Sequence, residues 1–169
     1  MTARKTYVAV CGAGVATDEE VRWAEEVGRL LAGEGAVVVC GGLGGVMEAA
    51  ARGAAEEDGV SIGILPGVDR REQAEALTYS VPTGLGEARN ALVVRAADAL
   101  IAIGGEFGTL SEIALALKTG VPVVGLGTWE LRRHDQTVES ITRANTPEEA
   151  VRLALRLAGE PLRNPTLDA

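Results

Sequence analysis

Four glycine-rich segments follow short apolar runs and are the best candidates for chemistry in this 169-residue chain. They are Gly12–Gly14, Gly41–Gly45, Pro82–Arg89 and Gly104–Thr109. The chain holds 22 glycines, about 13% of its residues against about 7% in ordinary proteins. Glycine lets the backbone approach a ligand closely, and the free N–H groups at a helix start attract anions. The pattern therefore favours a phosphate site.

The candidate ligand-binding residues all lie in these segments: Gly12, Gly14, Gly41, Gly42, Gly44, Gly45, Thr83, Gly84, Gly105, Gly108 and Thr109. A structural explanation stays open, because strand-to-helix turns use glycine without any ligand. Neither standard nucleotide motif is present. The chain has no G-x-x-x-x-G-K-[ST] motif, and Gly12–Thr17 lacks the third glycine of G-x-G-x-x-G. A Walker-type ATPase and a dinucleotide oxidoreductase are therefore disfavoured.

Arg89 and Glu112 are the candidate catalytic residues, since each begins a predicted helix beside a glycine-rich segment. A cation and a carboxylate facing a phosphate pocket could orient a sugar and assist cleavage at its anomeric carbon. Two structural explanations remain open. Thr109–Glu112 reads as a capping box, in which Glu112 only closes a helix end. Arg89 could instead form a surface salt bridge with Glu87 or Glu112.

The sequence gives little support for a metal site or for catalysis by a cysteine thiol. His134 is the single histidine and lies in a charged run, which indicates a solvated loop residue. Cys11 and Cys40 end apolar runs and are expected to be buried small hydrophobic residues. We therefore predict no metal site.

The elements that position these residues alternate between strand and helix. Apolar runs predict five buried strands at 7–11, 36–40, 61–65, 99–103 and 121–126, with a weaker one at 77–81 near an edge. Capping boxes and helical periodicity predict helices at 18–32, 46–57, 85–97, 109–118 and 147–158. This order predicts a doubly wound parallel α/β sheet in a single domain spanning 1–169. Its core covers about 6–158, and the tail 159–169 is expected to be frayed.

The composition of the chain limits the kinds of partner that it is expected to bind. The net charge is −8 and aromatic residues make up 3%, which disfavours binding to nucleic acid or to an anionic membrane. No apolar run approaches membrane-spanning length, and we expect a cytosolic location. The segments 91–97 and 113–117 are apolar over more than one helical face, which predicts a homodimer or a dimer-based oligomer. Packing of that extra face on the last helix is the alternative.

GGEFGTLSE (104–112) resembles the P-G-G-x-G-T-x-x-E signature of the "lonely guy" phosphoribohydrolases, which activate cytokinins and were long mislabelled lysine decarboxylases. CGGLGGVMEAAARGA (40–54), IGILPG (62–67) and the segment 81–105 resemble a sister branch that includes molybdenum cofactor carrier proteins. The resemblance spans about residues 6–127. It implies a Rossmann-like fold, a dimer, and a bound nucleotide or pterin-nucleotide phosphate.

By motif position, Arg89 and Glu112 match the enzymes' functional arginine and glutamate, and Gly105, Gly108 and Thr109 match their phosphate loop. The chain departs from the signature at four positions: Gly104 replaces a proline, Glu106 a glycine, Asn90 a lysine and Ser111 a glutamate. Lysine decarboxylase activity gains no support, because Lys118 lies at the far end of its helix.

Three functions follow. The first is hydrolysis of the N-glycosidic bond of a nucleoside 5′-monophosphate, with no cofactor needed for the chemistry. The second is a carrier or sensor of a phosphorylated ligand such as the molybdenum cofactor. The third, binding of single-stranded DNA, is disfavoured by the acidic charge and the scarcity of aromatic residues.

Overall fold

A seven-stranded parallel sheet organises the chain, as seen in a computed structural model that describes residues 4–137 and 140–160. The strands are β1 (Tyr7–Gly12), β2 (Val37–Cys40), β3 (Val60–Leu65), β4 (Tyr79–Pro82), β5 (Ala99–Ile103), β6 (Val123–Leu126), β7 (Arg132–Arg133), β8 (Gln136–Thr137) and β9 (Ile141–Ala144). The sheet order is β4-β3-β2-β1-β5-β6-β9, and β7 and β8 form a separate antiparallel hairpin. Continuous burial of the central strands explains their apolar runs.

Helices cover both faces of the sheet. They are α1 (Asp18–Gly33), α2 (Val46–Glu56), α3 (Asn90–Arg95), α4 (Phe107–Thr119) and α5 (Pro147–Ala158). Helices α1, α2 and α5 pack around one apolar core, and α3 and α4 pack on the other. The predicted single-domain, doubly wound, Rossmann-like α/β fold is confirmed. Because α5 lies with α1, it covers the face opposite α3 and α4.

One predicted helix differs from the structure, and one edge strand was not predicted. The helix expected at 85–97 is a 3-10 turn over Gly86–Arg89 followed by α3. Gly84 and Gly86 adopt positive φ, which an α-helix does not allow. Strand β9 was not predicted, because its four residues are mixed in polarity and lie at a sheet edge. The predicted edge strand near 77–81 is confirmed as β4.

Within residues 4–137 and 140–160, no helix is long and apolar enough to cross a membrane. Most of the tail expected to be frayed, residues 161–169, lies outside the described residues.

Candidate functional site

The four glycine-rich segments lie at the same end of the sheet, because each follows the carboxyl end of a parallel strand. Strand order runs outward in both directions from β1 and β5, so the chain switches direction between these two strands. Gly12–Gly14 and Gly104–Thr109 flank that point. Open α/β sheets bind ligands in the crevice at such a switch point. We call the four segments at this end of the sheet the glycine rim, which comprises residues 12–14, 41–45, 82–89 and 104–109.

Arg89, the last residue of the 82–89 segment of the rim, is buried, with only 8% of its area exposed. Its Nη2 donates to the carbonyl oxygen of Gly41 at 3.2 Å, and its Nη1 donates to Oδ1 of Asn90. Among the described residues, no salt bridge joins Arg89 to Glu87 or Glu112. The surface salt bridge considered from the sequence is therefore not formed. Arg89 Nε is buried without a hydrogen-bond partner, so the protein leaves one donor of this charged side chain unsatisfied.

Glu112 lies in the same buried layer, with 7% of its area exposed. Burial raises the pKa of Glu112 to about 7, although the Cys11 thiol and the Arg89 charge both favour its ionised form. The carboxyl group therefore exchanges its proton near neutral pH. Such a group can act as a general acid or base.

The capping box that the sequence left open as an alternative at Thr109–Glu112 is not formed. Helix α4 begins two residues earlier, at Phe107, because its N-cap is Glu106. The Glu106 side chain makes no capping hydrogen bond, so α4 has no side-chain cap at its first turn. The positive end of the helix is thereby left for a ligand.

The candidate glycines fall into two groups. In the first, a side chain would collide with the protein itself, as at Gly12, Gly41, Gly42, Gly45 and Gly105. At Gly41, for example, an added Cβ would lie 2.6 Å from Nη2 of Arg89, so this glycine makes room for the guanidinium.

The second group has open space beside it. No heavy atom lies within 4 Å of a Cβ built on Gly14 or Gly108, and only the Gly14 carbonyl oxygen lies near one on Gly44. Packing does not require glycine at these positions, so they are the better ligand candidates. Gly84 has positive φ and lies near Val68. The Thr83 hydroxyl donates to the Leu65 carbonyl oxygen at 2.7 Å, which fixes its turn.

A cavity of about 310 Å³ opens at the Gly104–Gly105 turn that precedes α4, and the sequence analysis did not predict it. It is lined by Glu20, Gly104, Gly105, Gly127, Thr128 and Trp129. The Trp129 ring lies 5.8 Å from that of exposed Phe107, and its indole Nε1 is buried without a partner. The sequence could not predict the contact between Phe107 and Trp129, because the two residues follow different strands and are far apart in the chain.

The two thiols are buried, as expected. Burial raises the pKa of Cys40 to about 11, and burial together with the Glu112 charge raises that of Cys11 well above its usual value. Neither is a thiolate at neutral pH. His134 is exposed in the β7–β8 turn. In the part of the chain that the structure describes, no group of three or more His, Cys, Asp or Glu side chains is placed to hold a metal.

The SLOG cluster4 family matches residues 5–151. The chain belongs to this family. The branch suggested by the resemblance is thereby confirmed.

Solved structures and one curated protein are similar over most of their length. The molybdenum cofactor binding protein of Rippkaea orientalis is 36% identical, with a TM-score of 0.85 over 92% of this chain and 99% of that one. The molybdenum cofactor carrier protein of Chlamydomonas reinhardtii is 31% identical, with a TM-score of 0.82 over 93% of this chain and 100% of that one. An uncharacterised protein of Archaeoglobus fulgidus is 42% identical over 85% of this chain and 91% of its own length.

A DNA processing protein A from Helicobacter pylori is 23% identical, with a TM-score of 0.68 over 89% of this chain and 80% of that one. This similarity shows a shared fold alone. The prediction that the chain binds no nucleic acid stays a prediction.

Proposed function

We propose that this SLOG cluster4 protein is a carrier that holds a phosphorylated cofactor, with the molybdenum cofactor as cargo, at the glycine rim. The observation that carries the proposal is Arg89, a buried cation of the rim whose Nε has no partner, together with the start of α4, which has no side-chain cap. A phosphate satisfies both, because it accepts hydrogen bonds from guanidinium and helix N–H groups alike. The similarity to two molybdenum cofactor proteins over more than 90% of this chain supports that cargo.

The residues present fit such a ligand. Gly14, Gly44 and Gly108 leave the backbone open to close approach. A cavity of about 310 Å³ lies beside Gly105, at the turn that precedes α4, and Trp129 in its lining provides an aromatic surface for a flat ring. Glu106, which is exposed at the N-cap, adds a negative charge at the mouth of the site. We expect it to disfavour ligands with several phosphates.

Native mass spectrometry tests the carrier proposal. Protein is purified from a host that makes the molybdenum cofactor and, as a control, from a host strain that cannot. We expect an added mass that matches the intact cofactor only in the first preparation. No added mass in either preparation, at a protein concentration that preserves other complexes, would contradict the proposal.

Hydrolysis of a nucleoside 5′-monophosphate is the second candidate, and the raised pKa of Glu112 beside Arg89 favours it. In this reaction Glu112 would exchange a proton with water or the leaving base, while Arg89 would hold the phosphoribosyl end. Base release is measured by chromatography over a panel of monophosphates. Turnover that falls by about 10²-fold or more in Glu112→Gln would establish an enzyme. No release from any substrate would leave the carrier as the function.

A further inference from the structure

A chain of three hydrogen bonds connects Arg89 to the first turn of α4. Arg89 Nη1 donates to Oδ1 of Asn90, Asn90 Nδ2 donates to the Ser111 hydroxyl at 2.9 Å, and that hydroxyl donates to the Gly108 carbonyl at 2.7 Å. Asn90 is almost fully buried, with 6% of its area exposed. The chain therefore links the 3-10 turn that carries Arg89 to the helix start that carries Gly108.

Donor chemistry permits only one direction along this chain. A guanidinium can only donate, so Asn90 must turn its carbonyl oxygen toward Arg89 and its NH₂ toward Ser111. The Ser111 hydroxyl then accepts from Asn90, and its own proton is free for the Gly108 carbonyl. Asn90 uses a different atom for each neighbour, and the Ser111 hydroxyl oxygen accepts one bond while it donates its proton to the other. An aspartate at position 90 would keep the first bond but could not donate the second.

We propose that Asn90 and Ser111 are positioning residues that hold the Arg89 guanidinium and the first turn of α4 as one unit. The consequence for ligand binding rests on the proposed function. A phosphate between Arg89 and the α4 turn needs both donors at a fixed separation, and the chain sets that separation. Two neutral side chains do this without adding a charge, so Arg89 and Glu112 remain the charged side chains of the buried layer among the described residues.

The test needs no ligand for its first readout. Arginine Nε–H resonances are recorded in ¹⁵N–¹H spectra, and the Arg89 signal is assigned by its loss in Arg89→Lys. The Nε–H of the wild-type protein should exchange slowly with water, because this atom is buried. In Ser111→Ala we expect about fivefold faster exchange, the factor that a typical net hydrogen-bond contribution gives. Ser111→Thr keeps the hydroxyl and should match wild type.

Asn90→Asp is the second variant and predicts a different pattern. Arg89 Nε–H should stay protected, because a charged carboxylate holds the guanidinium more strongly than the amide that it replaces and so offsets the lost bond to Ser111, while backbone amides at the start of α4 exchange faster. Protection of Arg89 Nε–H that is unchanged in Ser111→Ala, together with α4 amides unchanged in Asn90→Asp, would overturn the positioning role.

Inorganic phosphate supplies the second readout, by calorimetry on the same variants. Weaker binding to Ser111→Ala with unchanged binding to Ser111→Thr supports the positioning role in ligand binding. If exchange responds as predicted but wild type binds no phosphate, the linkage stands and the proposed function fails. If wild type binds phosphate and Ser111→Ala binds it as tightly, the positioning role in binding is overturned while the proposed function stands.

Discussion

Glu112 is a carboxyl group held where its charged form is costly. Its pKa is about 7 in the folded protein against an ordinary value of 4.5, and the main cause is burial. The folded state therefore binds its proton more tightly than the unfolded state does. Between about pH 4.5 and pH 7 the stability contributed by this group falls as the pH rises. The difference corresponds to about 3 kcal/mol.

Glu112→Gln tests that assignment. The amide cannot ionise, so the variant should lack the loss of stability on going from pH 5 to pH 8. We expect the wild type, measured relative to the variant by urea unfolding, to lose about 2.5 kcal/mol over that range. The contributions of the other titrating groups to the free energy of unfolding cancel in the comparison, because both proteins carry the same groups. An equal difference between the two proteins at pH 5 and pH 8 would contradict the burial of an ionising carboxyl group.

Gly108 separates a ligand role from a packing role. Its position has no heavy atom within 4 Å of an added Cβ, and its φ is not positive. Gly108→Ala should therefore stabilise α4, by up to about 1 kcal/mol, since alanine is the better helix former. It should nevertheless weaken binding of the phosphorylated ligand by about tenfold or more, because the methyl group occupies the approach to the helix start. Thermal unfolding and calorimetry on one preparation measure both effects.

Ser80→Ala serves as the control for that pair of measurements, because it changes a small residue of β4 away from the first turn of α4. Its ligand affinity should equal that of the wild type. Unchanged affinity in Gly108→Ala as well would remove this turn from the site.

At the level of elements, α1 and α2 approach through glycine. A Cβ on Gly28 would lie 2.0 Å from the Ala50 carbonyl oxygen, and one on Gly53 would lie 1.8 Å from that of Glu25. These contacts are with backbone atoms, which cannot rotate away from an added side chain as a flexible side chain could. Neither glycine was singled out from the sequence, because their role depends on a partner helix.

Gly53→Ala should separate the two helices and destabilise the protein by about 1–3 kcal/mol or more. Gly33→Ala is the matched control, since it lies at the end of α1 with open space around it. The control should be neutral or slightly stabilising. Urea unfolding compares the two variants, and equal stabilities would show that α1 and α2 do not pack this closely.

The sequence predicts elements well where burial is continuous and poorly where distant contacts decide. The strands around Val8, Val38 and Ile101 are apolar throughout because both faces are covered, so they could be recognised alone. The start of α4 could not, because a capping-box pattern at Thr109–Glu112 coincided with a buried acid that packs beside Cys11. Arg89 and Glu112 could be named from motif positions. The hydrogen bonds of Asn90 and the contact of Phe107 with Trp129 exist only in the fold.

For the whole molecule, the face formed by α3 and α4 bears on assembly. It lies opposite α5, and Leu92 on α3 is 41% exposed. A dimer through this face would give about 35 kDa by light scattering, twice the 17.4 kDa of one chain. Leu92→Asp should then yield monomers, whereas Val15→Asp, an exposed position next to the glycine rim, should not. A wild-type mass near 17 kDa at micromolar concentration, about that of one chain, would contradict the dimer.

The central claim, that the glycine rim holds the phosphate of a cofactor, is tested most directly by a crystal structure of the protein loaded anaerobically with the molybdenum cofactor. Anomalous scattering from molybdenum locates the ligand independently of any interpretation of the rest of the density. The predicted result is a molybdenum peak at the glycine rim, with the phosphate against the first turn of α4 and within reach of Arg89. A peak elsewhere on the molecule, or a phosphate that touches neither α4 nor Arg89, would contradict the claim.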